Sequence, residues 1–213
     1  MVMKSWIFEI AVLYALDGFE WIEPTRAYSY HNVTTCEEFE RDAQFRPKDI
    51  VISAWKIIYF WSDTVETNPI IFSLLDSKRL EDFKMVTETV APELRHMEWY
   101  KAMFMMVPRP GVQVVFVDGG TPGAFRGVVK IEQRDKPRPY PQPLIKLADI
   151  RMTQKGGYLG MMCCEDLTAF VMASTDNLPA TEEECEAAAA LLGIKGPDGR
   201  SYFYLKNITR NEL

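Results

Sequence analysis

Pro108-Arg109-Pro110-Gly111 constrains the fold more than any other stretch of the sequence. Two prolines and a glycine within four residues do not continue a helix, because proline lacks the amide donor and clashes with the preceding turn. Before this break the patterns are mostly helical; after it they are strand and turn. One integrated domain over residues 1–213 is the simpler organisation, with a subdivision near Val107 (1–106 and 107–213) as the alternative.

Beyond the break, Val112 to Val117 and Gly127 to Gln133 predict two strands around a glycine-rich loop. Further strands are expected at about 144–151, 157–163 and 167–174. Thr181 and Glu184 have capping-box spacing, and the helix they open should stop at Gly193, with Ile194 beyond it. A final strand is expected from Tyr202 to Leu205.

Ahead of the break, residues 4–16 alternate as a strand, Asp17-Gly18 suits a hairpin turn, and Trp21 to Tyr30 reads as the returning strand. Thr35 and Glu38 cap a helix reaching about Gln44. Within 49–61, Ile50, Val51, Ala54, Ile57, Ile58 and Trp61 sit at helical spacing, although the residue types favour strand; helix is taken. Ser77 caps a helix over about 78–89, and Pro92 starts another that runs to about Met106. The expected fold class is α+β: a mainly antiparallel sheet, a helical block at about 33–106 and a C-terminal helix–strand unit.

At 47% hydrophobic and 25% charged residues, the chain has the composition of an ordinary globular protein. A net charge of -6 disfavours a duplex nucleic-acid surface, which needs clustered Lys and Arg. No uncharged apolar stretch approaches the roughly 18–20 residues of a membrane span. Lys4 followed by the apolar run Trp6 to Leu16 has the outline of a leader, but Glu9 interrupts it and no small-residue cleavage site follows. Cys36, Cys163, Cys164 and Cys185 have neither zinc-knuckle nor disulfide-framework spacing, so they are read as reduced thiols in the cytoplasm. On the same reading the sequons at Asn32 and Asn207 are discounted.

Chemistry is sparse. Gly119, Gly120, Gly123 and Arg126, within the 118–127 loop, could hold an anion on backbone amides. The phosphate-loop lysine and following helix are missing, so a plain hairpin loop is the simpler reading. His31 and His96 have no assignable catalytic partner, and Cys163-Cys164 reads as buried small hydrophobes. The carboxylates Asp17, Glu20, Glu23, Glu165 and Asp166 read as turn residues, and 136–143 as an extended proline-rich connector. No catalytic residue, metal site or cofactor is assigned.

Leu94, Met97, Trp99, Tyr100, Phe104 and Met105 cover most of the circumference of the expected 94–106 helix, in residue types that interfaces favour. The leading functional expectation is therefore a non-catalytic interaction or assembly subunit. It would bind another protein or itself, as an accessory or inhibitor protein of a virus or mobile element does. The alternative is a small enzyme or ligand-binding domain using the 118–127 loop.

Overall fold

The computed structural model describes residues 34–63, 65–133, 142–165 and 167–204. The expected Gly18 hairpin, His31, Asp166, both sequon asparagines and most of the proline-rich connector lie outside these residues.

After two short helices, α1 (Cys36–Glu40) and α2 (Pro47–Ile50), the chain enters β1 (Ala54–Trp61) and β2 (Ile70–Leu74). Helix α3 (Ser77–Val90) and 3-10 turns at Pro92–His96 and Trp99–Lys101 follow. Five strands come next: β3 (Ala102–Arg109), β4 (Val112–Asp118), β5 (Ala124–Ile131), β6 (Leu144–Lys155) and β7 (Tyr158–Cys163). β8 (Ala169–Ser174), α4 (Glu182–Leu191) and β9 (Arg200–Ser201) complete the fold.

Among the described residues every strand pairing is antiparallel. β2 through β8 follow one another in sequence order, β8 returns to β1, and β1 also pairs with β2. The result is a closed barrel of eight strands, with β9 added against β1.

This overturns the α+β expectation. The supposed helical block holds β1, β2 and the start of β3, and the expected 94–106 helix is instead 3-10 turn at Pro92–His96 and Trp99–Lys101 and then strand from Ala102. Helical spacing misled because β1 and the middle of β3 bury apolar residues on both faces. β1 points Trp55, Ile57 and Phe60 into the barrel, while Ile58 packs outward beneath α4. β3 likewise sends Phe104 and Met106 inward and Met105 outward beneath α3. A strand buried on both sides loses the polar alternation that would identify it. The final strand is also shorter and earlier than expected, at Arg200–Ser201.

The helices cover two patches of the outer wall. α4 lays Cys185, Ala188, Ala189 and Leu192 over Ile58, Met162 and Val171, beside Phe39 of α1. Phe83 of α3 packs with Leu94 and Trp99 over Met105, Val115, Val117 and Val128. Trp99 is 5% exposed, its ring edge-on to Phe83 at 6.2 Å. Trp99→Ala should therefore cost about 3–5 kcal/mol of folding stability, as for any large buried ring. Denaturant unfolding of the variant checks this.

Cys36 and Cys164 form a disulfide that closes a separation of 128 residues, which corrects the reading of all four cysteines as reduced. Cys163 and Cys185 are buried and take no part in this disulfide. The bridge anchors a strap of chain along the outside of the barrel. Glu40 holds the strap near its middle through Arg151 Nε at 2.6 Å, and the Gln154 amide donates to the Gln44 carbonyl at 2.7 Å. Crosslinking so long a loop restricts the unfolded chain strongly, so Cys36→Ser should lower unfolding free energy by about 2–5 kcal/mol. Urea midpoints of variant and parent should differ under oxidising conditions and converge once reductant is added.

Candidate functional site

The barrel interior has two halves of different chemistry. At one end, where β1 begins and the 118–124 hairpin turns, aromatic rings fill the lumen. Phe104 and Phe116 stack at 4.5 Å, and Phe125 stands edge-on to Phe104 at 5.2 Å. The strap then turns under this end and inserts Phe45, whose ring lies 5.2 Å from Phe125. Ile50 follows it into the core, and its carbonyl accepts a hydrogen bond from Trp55 Nε1 at 2.7 Å. This end is plugged.

Toward the other end the residues around the lumen are mostly aliphatic or sulfur-bearing, with Phe170 among them, and they do not fill the space. A cavity of about 160 Å³ remains. Its walls are Ile57 of β1, Ile70 of β2, Met106 and Pro108 of β3, and Val112 and Val114 of β4. Val129 of β5, Ala148 and Ile150 of β6, Met161 and Cys163 of β7, and Phe170 of β8 complete the ring. Ser62, Val65 and Glu66 of the β1–β2 connection, with Arg109, form the rim. Glu66 Oε1 accepts from the Asn68 amide at 3.0 Å and from Asn68 Nδ2 at 2.8 Å. The Cys163 thiol donates to Glu165 Oε2 at 3.0 Å, and Glu165 Oε1 accepts from the Asp149 amide at 2.6 Å.

The glycine-rich loop lies at the plugged end, away from this cavity. Two of its glycine amides are already used: Gly119 N–H donates to the Ala124 carbonyl at 2.9 Å, and Gly120 N–H to Asp118 Oδ1 at 3.0 Å. Gly123 has φ +79°, and a Cβ there would lie 2.1 Å from the Met152 carbonyl oxygen. That glycine serves close packing of the hairpin against β6. Arg126 pairs on the outer wall with Asp149 at 2.7 Å.

The side chains expected at an interface are dispersed. Leu94, Trp99, Phe104 and Met105 are buried in the chain's own core, and Met97 is partly buried against the α3 cluster. Tyr100 is 79% exposed. His96 is exposed on its 3-10 turn. No sequence motif marked the cavity, because each residue of its wall looks like ordinary core. The available signal was a fall in aromatic content along most of the inward faces.

Glu40 is the most strongly placed carboxylate near the plugged end. A hydrogen bond from the Thr121 hydroxyl is the main cause holding its pKa below the usual carboxylate range. Arg151 adds to the lowering, against the opposing effect of partial burial. Because the folded value lies below the unfolded one, ionised Glu40 stabilises the fold above the unfolded pKa. That contribution disappears as pH falls through the folded value. Glu40→Gln should therefore be less stable than the parent at neutral pH and approach it in acid. Thermal midpoints over a descending pH series read the difference.

Comparison with known proteins gave no matching family model, no matching curated protein and no matching solved structure.

Proposed function

We propose that this barrel binds one compact, apolar small molecule in the cavity at its unplugged end. The observation that carries the reading is a void of about 160 Å³ ringed by apolar side chains, with polar groups confined to one rim. Eight strands enclose a lumen that side chains either fill or leave open for a single small ligand. Here the same barrel does both, in its two halves.

Magnitude supports use of the void. The pocket opens at its rim, so only its sealed depth carries the cost of an unfilled hydrocarbon cavity, roughly 24 cal/mol per Å³. Larger side chains at Ala148 or Val114 would recover part of that. The volume is below the roughly 300–1,000 Å³ of sites for drug-sized ligands. It is close to that of a dry engineered cavity of about 150 Å³ that binds benzene. The fitting occupant is a single ring or a short branched hydrocarbon group.

Binding is preferred to partner-protein recognition through 94–106, since four of the six side chains that reading needs are buried in the chain's own core. The disulfide favours maturation in an oxidising compartment over the cytoplasm expected from cysteine spacing. Among the described residues no helix is long and apolar enough to cross a membrane.

Benzene should raise the thermal unfolding midpoint in a saturable way, as any ligand selective for the native state does. Ala148→Leu, which fills the void from its wall, should abolish that rise without lowering the midpoint of the unliganded protein. The absence of any shift with benzene in the parent protein would refute the reading.

A further inference from the structure

One wall of the cavity is not sheet. β1 and β2 share only two register pairs, Ala54↔Ile71 and Trp55↔Ile70, both near the plugged end. β5 and β6, by contrast, share eight. Beyond Trp55, β1 runs on to Trp61, but β2 does not begin until Ile70. The free edge of β1 at Tyr59 and Phe60 is taken by Ser201 and Arg200 of β9. An unpaired edge normally seeks a neighbouring strand. Here β9 pairs with that edge at Tyr59 and Phe60, so β2 has no edge there to zip against and the β1–β2 seam stays parted.

The cavity reaches this seam, where Ile57, Ile70, Ser62, Val65 and Glu66 surround it. Val65 is partly buried and packs against the interior cluster. The turn beside it is closed on itself, by Glu66 and Asn68. Sheet walls open only by breaking several backbone hydrogen bonds together. A side chain seated in a gap lifts by losing its own packing.

We propose that a ligand enters and leaves sideways, through the seam between β1 and β2, with Val65 as the movable seal. This rests on the cavity-binding reading. The rival route runs along the barrel axis, past Pro108 and Arg109 on the β3–β4 side of the rim.

The experiment measures the association rate constant of benzene on the full chain, from NMR exchange rates combined with titrated affinity. Val65→Ala removes two methyl groups of packing, so the seam should part, and benzene associate, about tenfold faster. Val65→Phe should slow association, and Arg109→Ala, on the rival route, should change it far less than Val65→Ala does. A merely structural Val65 would change affinity through dissociation alone. If benzene binds and its association rate ignores both Val65 variants, or responds to Arg109→Ala instead, the seam route is overturned and the cavity reading stands. If benzene does not bind the parent chain, both fall.

Discussion

Everything in this barrel depends on β1 finding hydrogen-bond partners on both of its edges. One edge pairs with β8 from Trp55 to Trp61 and closes the cylinder. The other is divided between β2 near the plugged end and β9 near the rim. The register shift between Ile57 and Tyr59 marks the place between these two loyalties. Closure removes the exposed edges that an open sheet of this size would present to other chains. Dividing the second edge lets a closed barrel keep one parted seam.

The two ends of the lumen answer to different physics. Stacked and edge-on rings at the plugged end bury much area in fixed geometry and leave little free volume. Branched aliphatics and methionines farther along the strands conform less completely to one another. The strap closes the plugged end with Phe45 and Ile50 and is tethered by Glu40 and the disulfide. The tethering contacts of the strap are concentrated at that end.

Much of the strand content after Gly111 was legible, because β4, β5, β6, β7 and β8 lie within a few residues of where alternation and turns place strands. The α4 stop was also legible: Gly193 takes φ +74°, and the Ile194 amide reaches the Ala189 carbonyl at 3.2 Å. What failed was the region whose strands are covered on both faces. Ala102, Met103, Met105 and Met106 are good helix formers by intrinsic preference, and only the barrel makes β3 of them. Ile57, Ile58 and Trp61 fit helical spacing because one faces the lumen and the others face outward. The disulfide was invisible because its partners are 128 residues apart. The cavity was invisible because it is a property of side chains that stop short of one another, which no single residue records.

The meeting of β1 with β8 and β9 has a consequence for how the chain is made. During synthesis the first barrel strand emerges long before the strands that will flank it. Until Ala169–Ser174 and then Arg200–Ser201 leave the ribosome, β1 has a full edge of amides and carbonyls unspent and apolar residues on both faces. Loop closure over so long a segment is slow to nucleate, and such intermediates are prone to associate wrongly. The nascent chain therefore has a built-in vulnerable interval, and truncation anywhere before residue 169 leaves it open permanently. Once Cys36 has joined Cys164, the same long-range ordering works in reverse: the bridge holds the early and late parts of the chain together through any later local opening.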